Sequence, residues 1–270
     1  MGREVVLDQP AQRIVSLAPH ITETLFAAGA GEQLVGAVSY SDYPEAAKTI
    51  SRVGSYSNVS YESIVALNPD LVIVWQSGNG DEVVQRLESL GLKLYVGEPR
   101  TLEAVAQSLR DFGQLSGHDK QGDIEAERFM ARLVELKETY GQQPVVDVYY
   151  QIWNEPMMTM NDKHLISDVI RLCGGHNVFA DALPLVPRIS VESVVRANPE
   201  VIVASGMGQA RPEWLDDWRD WTAINAVHNE QLYFIPPELL QRHTPRIIQG
   251  AEQMCTFLEQ ARDRRALANH

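Results

Sequence analysis

Apolar residues along this chain form short, nearly continuous runs that alternate with amphipathic stretches. The runs predict strands at residues 13–17, 34–40, 70–75, 92–96, 145–153, 201–204 and 232–235. The stretches between them predict helices at residues 22–29, 60–68, 82–90, 165–173 and 245–260, the first with Thr22 as its N-cap. Continuous apolar strands between helices are typical of a parallel sheet that is covered on both faces. The pattern therefore predicts an α/β fold.

One predicted helix differs from the others in length and polarity. Residues 119–140 are mostly polar, and Phe129, Leu133, Leu136 and Tyr140 form a single apolar stripe. At the rise of an α-helix this segment would be roughly 30 Å long. We expect it to be a rigid link, which divides the chain into an N-terminal lobe (1–116), a linking helix (117–141) and a C-terminal lobe (142–270).

The second half of the chain repeats part of the first. Residues 60–74 align without a gap with residues 190–204, with identical Ser, Glu, Ser, Val, Asn and Pro positions and aliphatic strand positions throughout. Such self-similarity indicates a duplicated structural unit. We therefore expect two similar Rossmann-like lobes with central, mostly parallel sheets.

Charge and hydropathy narrow the possible partners. The formal net charge is -13, which disfavours nucleic acid and anionic membrane surfaces because both require basic patches. No apolar run approaches the length of a membrane span, and no secretory signal is visible at the N-terminus. One interpretation is an exported protein whose signal peptide has been removed.

Signatures of catalysis are missing from the sequence. It contains no Gly-x-Ser-x-Gly elbow, no Walker-type loop and no Gly-x-Gly-x-x-Gly after the first strand. The seven histidines are scattered and form no metal-ligand pair. We predict no catalytic residue, no metal site and no intrinsic cofactor.

The residues that follow the predicted strands are aromatic or weakly polar. They are Pro19–His20, 40–43, Trp75, Trp153, Ser205–Gly206 and 236–238. Ligands of open α/β sheets bind beyond the carboxyl ends of the strands, and aromatic faces suit a large, flat, apolar ligand. His20 is predicted in a strand-end loop, where it either faces the ligand or forms an ordinary hydrogen bond with the backbone.

Two acids and two cysteines each allow two interpretations. Glu62 and Glu192 lie in first helical turns behind the N-cap candidates Ser60 and Ser190, where a carboxylate stabilises the helix dipole. They would equally serve as matched anchors for a pseudo-symmetric partner with basic residues. Cys173 and Cys255 are either a disulfide or two buried thiols.

Several stretches of the sequence match a known family. They are residues 13–19 with Thr22 and Glu23, Ser-Tyr-Ser-Asp-Tyr-Pro at 39–44, residues 62–73, Cys-Gly-Gly-x-Asn-x-Phe at 173–179, and Pro-Arg-Ile-Ile at 245–248 with Cys255. The chain resembles the class III periplasmic binding proteins of ABC importers, and most closely their cobalamin-binding members. The resemblance covers nearly the whole length.

The resemblance implies a monomer that holds cobalamin or a related corrinoid between its lobes and delivers it to the permease subunits of an importer. In that family Glu62 and Glu192 would contact arginines of the membrane subunits, and Cys173 would pair with Cys255. The implied ligand contacts are Tyr40, Tyr56, Trp75, Glu238 and Arg242. To these we add His20 from its predicted strand-end loop, and Met158 and Val186 from positions where the family has ligand contacts.

Four positions depart from the family pattern. Ile152, Met158 and Val186 stand where aromatic contacts are expected, and Tyr56 replaces an expected tryptophan. A smaller aromatic surface favours a precursor such as cobinamide or a differently substituted cobalamin. The alternatives are a ferric siderophore or haem as ligand and, in another class, a two-lobed metalloenzyme.

Overall fold

The computed structural model describes residues 5–206, 208 and 210–268. The chain forms two compact units, Met1–Met130 and Ala131–His270, which we call the first and second lobes. Each lobe is an α/β unit built around its own parallel sheet, as the alternation of strands and helices predicted.

The first lobe contains a five-stranded parallel sheet and a short antiparallel hairpin. Its strands are β1 (Ile14–Ser16), β2 (Leu34–Ala37), β3 (Ser51–Arg52), β4 (Gly54–Ser55), β5 (Asn58–Val59), β6 (Leu71–Trp75) and β7 (Leu94–Gly97). The sheet has the order β3-β2-β1-β6-β7, and β4 pairs with β5 in the hairpin. All of β1 and the first four residues of β6 are buried, as expected of central strands covered on both faces.

Helices connect these strands or follow the last of them. They are α1 (Pro19–Ala27), α2 (Tyr61–Ala66), α3 (Gln76–Asn79), α4 (Asp81–Ser89), α5 (Leu102–Ser116) and α6 (Asp119–Tyr140), with 3₁₀ turns at Gly31–Gln33 and Glu45–Thr49.

The first of these helices corrects a prediction. Thr22 is not an N-cap, because α1 already begins at Pro19, a residue whose fixed φ and missing N–H suit the first helical position. The buried Thr22 hydroxyl instead lies 2.8 Å from that of Ser16 and donates to that of Ser41.

The second lobe contains a four-stranded, wholly parallel sheet. Its strands are β8 (Val146–Gln151), β9 (Gly175–Asn177), β10 (Val201–Ala204) and β11 (Leu232–Phe234), in the order β11-β10-β8-β9. Its helices are α7 (Leu165–Leu172), α8 (Val191–Ala197), α9 (Asn225–His228), α10 (Pro237–Leu240) and α11 (Ile247–Ala268), with a 3₁₀ segment at Glu213–Asp220. The short strand β9 was not predicted, and α11 extends further than residue 260.

The long helix α6 exists as predicted, and Phe129, Leu133 and Leu136 of its apolar stripe are buried. The boundary between the two units falls inside this helix. Its rigidity as a link, and the predicted boundaries at residues 116 and 142, stay predictions.

The internal repeat is visible in the hydrogen bonds. Asp70 accepts bonds from the backbone N–H groups of Gln12 and Arg13 just before β1, and Glu200 accepts one from Asp147 in β8. Asn68 and Asn198, two residues before these acids, both have a left-handed backbone with φ of 46° and 47°. Each lobe thus uses the same Asn-Pro-acid segment to end a helix and fix the start of a central strand.

Candidate ligand-binding site

The topology of each sheet marks one edge as the place for a ligand. In the first lobe β1 lies between β2 and β6, and in the second β8 lies between β9 and β10. In each sheet the connection after the first strand leads to a neighbour on one side of it, and a later connection leads to a strand on its other side. At such a point a crevice opens beyond the carboxyl ends of the two central strands. His20 follows β1 and Trp75 ends β6, so both lie at the switch point of the first lobe.

Three rings meet at this point, and we call His20, Tyr56 and Trp75 the aromatic cluster. The His20 imidazole stands edge-on to the Trp75 indole with ring centroids 5.2 Å apart, and the Tyr56 ring is tilted against the same indole at 5.8 Å. The Tyr56 side chain comes from the turn between β4 and β5 and remains 43% exposed. His20 lies in the first turn of α1, not in a loop as predicted, and is almost completely buried.

A buried amide holds the segments of the cluster together. Asn79, the last residue of α3, donates to the carbonyl groups of Leu17 and Tyr56 at 3.0 and 2.6 Å. Its side-chain oxygen accepts from the backbone N–H of Trp75 at 2.7 Å. One side chain therefore joins the end of β1, the hairpin turn and the end of β6.

The position of the Trp75 indole depends on a glycine. A Cβ atom on Gly78 would lie 1.8 Å from the indole, so any larger residue must displace the ring. The indole Nε1 is buried and has no hydrogen-bond partner among the described residues. The ring is thus held by packing against its neighbours.

Tyr40 lies near the end of β2 in a strained conformation. Its φ is 65°, a left-handed value that is uncommon for an aromatic residue and that occurs often at functional positions. Its side chain is 75% exposed. Arg52 fixes the loop that follows by donating to the carbonyl groups of Ser41, Ala47 and Ile50. The loop thus presents the Tyr40 ring to solvent on a fixed backbone.

The matching edge of the second lobe is built differently. Directly after β8 the chain turns back, and Met158 pairs with Trp153 on one side and with Arg188 on the other. Hydrogen bonds from Thr159 to Pro187 and from Ile189 to Met157 enclose the Met158–Arg188 pair. Residues directly opposite in an antiparallel pair have their side chains on the same face. We call Met158 and Arg188 the strand-end pair.

The loop that leads to Arg188 is apolar and exposed. Leu183 is 96% exposed and Val186 40%. The side chain of Asn161 donates to the Ala182 carbonyl group, and its backbone N–H donates to that of Leu185, so the loop is anchored at two points. Val186 is therefore available to a ligand.

Glu238 and Arg242 belong to one segment after β11. Glu238 lies in the first turn of α10, Arg242 follows this helix, and both are half-buried. Next to them the His243 ring lies 6.1 Å from that of His164. Burial and the repulsion from His243 lower the pKa of His164 to about 4. Whether these residues contact the same ligand as the aromatic cluster stays a prediction.

The two predicted docking acids have matching surroundings. Glu62 and Glu192 are exposed in the first turns of α2 and α8, and the hydroxyl groups of Ser60 and Ser190 cap these helices as predicted. Hydrogen bonds, above all from Ser190, lower the pKa of Glu192, which keeps its side chain charged. The docking role of both acids stays a prediction.

Three further features of the described residues concern the cysteines, metal binding and membrane spans. Cys173, at the end of α7, forms a disulfide with Cys255 of α11, which confirms the predicted pairing. Among the described residues no group of three or more His, Cys, Asp or Glu side chains could hold a metal ion. No helix within residues 5–206 and 210–268 is long and apolar enough to cross a membrane.

Comparison with known proteins assigns the family. A family model described as periplasmic binding protein matches residues 14–239. The chain belongs to this periplasmic binding protein family. Its members capture ligands and are not enzymes, as the missing catalytic motifs predicted.

Individual relatives of this periplasmic binding protein carry names that specify ligands. The vitamin B12-binding protein of Vibrio cholerae serotype O1 is 37% identical over 251 residues, covering 93% of this chain and 90% of that protein. The crystal structure of the periplasmic vitamin B12 binding protein BtuF of Vibrio cholerae matches with a TM-score of 0.86 at 35% identity, covering 94% and 98% of the two chains. The periplasmic heme-binding protein RhuT from Roseiflexus sp. RS-1 matches with a TM-score of 0.81 at 25% identity, covering 93% and 99%.

Two residues of this periplasmic binding protein were missed by sequence reasoning. Asn79 stands in a Gly-Asn-Gly stretch after an apolar strand, which suggests a tight turn but not an amide that joins three segments. Arg188 stands in a Pro-Arg-Ile stretch without any motif, and only its pairing with Met158 places it at the strand ends.

Proposed function

We propose that this periplasmic binding protein captures cobalamin or a related corrinoid and delivers it to the membrane subunits of an ABC importer. The aromatic cluster at the switch point of the first lobe carries the proposal, because it combines a fixed indole with a partly exposed phenol. A corrinoid is a large, flat macrocycle with amide groups at its rim. Aromatic rings offer contact area to such a ligand at a small cost in conformational entropy.

The identity to vitamin B12-binding proteins supports the same ligand class. We propose His20, Tyr40, Tyr56 and Trp75 as contacts from the first lobe. Met158, Val186, Glu238 and Arg242 are the proposed contacts from the second lobe. The aliphatic Met158 and Val186 offer dispersion contacts, whereas the carboxylate and guanidinium groups suit the amide groups of the corrinoid rim.

Isothermal titration with cyanocobalamin, dicyanocobinamide and haemin tests the proposed ligand. We expect saturable 1:1 binding of a corrinoid with submicromolar affinity, accompanied by quenching of indole fluorescence. The Trp75→Phe variant should lose most of the quenching if the ligand lies against the aromatic cluster. Absence of binding by both corrinoids would refute the ligand assignment.

Haem is the second candidate ligand. The match to RhuT and the imidazole of His20 beside the indole favour it, because an imidazole is a common axial ligand of haem iron. Haemin binding with a Soret shift that disappears in a His20→Ala variant would establish haem as the ligand. We expect the corrinoid to bind and haemin not to compete with it.

We further propose that Glu62 and Glu192 dock the protein onto basic residues of the membrane subunits. The two carboxylates occupy equivalent positions of the two repeats, so each lobe presents one anchor. The free protein is proposed to be a monomer, since each copy then offers one anchor pair to the importer. Light scattering of the purified protein checks this state.

Transport measurements test the docking proposal. The double variant Glu62→Ala with Glu192→Ala should lose corrinoid uptake in cells while its Kd for cobalamin in solution stays unchanged. The matched control, Glu127→Ala with Glu138→Ala, removes the same charge from exposed positions on α6 and should transport normally. Loss of ligand affinity in the docking variant would contradict this division of roles.

A further inference from the structure

We propose that Arg188 binds an anionic group of the ligand and makes this protein select corrinoids that carry a phosphodiester. The inference rests on the proposed function and assigns the residue that distinguishes complete cobalamin from precursors without a phosphate, such as cobinamide. It opposes the preference for cobinamide that the smaller aromatic surface would favour, and the comparison of the two corrinoids below decides between them.

The first argument is the direction of the Arg188 side chain. Met157 and Ile189 pack against the buried core of the second lobe. Side chains alternate between the two faces of an extended strand, so their neighbours Met158 and Arg188 face away from that core. Met158 and Arg188 are opposite each other across the strand pair and therefore share the outer face.

The second argument is position. The turn that carries Met158 follows β8 directly, and β8 and β10 form the switch point of the second sheet. Ligands of such sheets bind beyond the carboxyl ends of these strands. Arg188 thus stands beside Met158, a proposed ligand contact, at the edge where an α/β lobe receives its ligand.

The third argument is charge. Arg188 is exposed and forms no hydrogen bond or ion pair with any other residue that the structure describes. Several other arginines of this lobe form ion pairs with carboxylates, for example Arg171 with Asp162 and Asp168, and Arg211 with Asp216. In a chain of net charge -13, an exposed arginine side chain without an ion-pair partner among the described residues leaves its positive charge available to an anionic group.

The fourth argument is chemical complementarity. A guanidinium group donates two parallel N–H bonds to a phosphate, which adds geometric selectivity to charge attraction. Cobalamin contains one phosphodiester in the loop that carries its lower nucleotide, whereas cobinamide ends before this phosphate. The rim amides are shared by both corrinoids. A contact from Arg188 to the phosphodiester therefore strengthens binding of cobalamin alone.

The test compares two corrinoids on one variant. Isothermal titration of Arg188→Gln should show that the Kd of cyanocobalamin rises about tenfold, the effect expected for loss of a charged hydrogen bond. The Kd of dicyanocobinamide should stay within twofold of the unmodified protein. Raising the salt concentration should reduce the cobalamin effect, because screening weakens the exposed charge pair.

Matched variants make the result specific. Arg196→Gln removes the same charge from another exposed arginine of the second lobe, on α8, and should leave both affinities unchanged. Arg188→Lys keeps the positive charge but lacks the planar guanidinium group that donates two parallel hydrogen bonds, so it should recover only part of the cobalamin affinity. Thermal unfolding of all variants should coincide, because the exposed Arg188 side chain forms no hydrogen bond or ion pair with the described residues.

The outcomes separate the two proposals. Failure of the unmodified protein to bind either corrinoid overturns the proposed function and this inference with it. Normal cobalamin binding by Arg188→Gln, or an equal loss for both corrinoids, overturns the inference alone. Unchanged binding combined with lost uptake would place Arg188 in contact with the membrane subunits and would also overturn it.

Discussion

The two lobes share a repeated core but differ at the edge where ligands bind. In both, an Asn-Pro-acid segment follows a capped helix and fixes the start of a central strand through Asp70 or Glu200. Beyond the strands, the first lobe presents the aromatic cluster around Asn79, whereas the second presents the strand-end pair and the segment after β11.

The means of stabilisation differ as well. The second lobe contains a disulfide and a half-buried pair of imidazole rings, and the first lobe relies on buried polar hydrogen bonds such as those of Asn79 and Thr22. The comparison shows that the two repeats share the elements that build the sheet. The segments after the strands differ, because the pairing of the strands does not require a particular sequence there. Four predictions test this contrast.

The largest effect is expected from the disulfide of the second lobe. Replacing Cys173 and Cys255 by Ser should lower the free energy of unfolding by about 4 kcal/mol in the chain-entropy model, since the bond closes a long loop. Urea unfolding measures the free energy, and amide hydrogen exchange measures the protection of each lobe separately. Protection should fall in α7 and α11 and persist in β1 and β6. Equal loss in both lobes would show that their stabilities are coupled.

The second effect is a pH dependence confined to the second lobe. The backbone N–H of Ile166 donates to Nδ1 of His164, which caps α7 in its unprotonated form. Because folding lowers the pKa from 6.5 to about 4, the unfolded chain binds more protons between these values. The contribution of His164 is thus present above pH 6.5 and lost as the pH falls through about 4.

The loss should reach about 3 kcal/mol, the free-energy equivalent of this difference in pKa. Urea unfolding at pH 7 and pH 4 measures it. The variant His164→Asn keeps an N-cap acceptor without titrating and should therefore show a smaller pH dependence. An identical pH dependence of variant and unmodified protein would contradict the assigned pKa.

The third effect belongs to the first lobe. Asn79→Ala should lower the free energy of unfolding by about 2 kcal/mol, because it leaves buried carbonyl and N–H groups without partners. Cobalamin affinity should fall as well, since the segments that carry Tyr56 and Trp75 separate. Titration and urea unfolding measure the two effects. The control Asn58→Ala changes an exposed asparagine of the hairpin that carries Tyr56 and should preserve affinity.

The smallest effects test the equivalence of the repeats. Asp70→Asn and Glu200→Gln should each destabilise by about 1 kcal/mol, because each weakens a charged hydrogen bond to a strand start. Glu200→Gln also removes an ion pair with Arg265, which is partly exposed and adds little. Urea unfolding of both variants compares the lobes. A difference of several kcal/mol would show that the shared segment serves unequal roles.

Part of the site could be read from the sequence. The resemblance supplied Tyr56 and Trp75, which the structure brings together, and the paired cysteines that it joins. The prediction of Thr22 as an N-cap was wrong, because Pro19 already provides a helix start and Thr22, three residues later, lies inside the helix. His20 was predicted in a loop because the predicted helix began at Thr22, whereas α1 begins at Pro19.

Local patterns determined the α/β class, the repeat and the helix caps at Ser60 and Ser190, because periodicity and capping depend on residues close in sequence. Tertiary structure alone decided that Asn79 reaches Leu17 and Tyr56, and that Arg188 stands beside Met158. These contacts join segments that are distant along the chain. Their partners follow from how strands pair in space, and no local sequence pattern encodes that pairing.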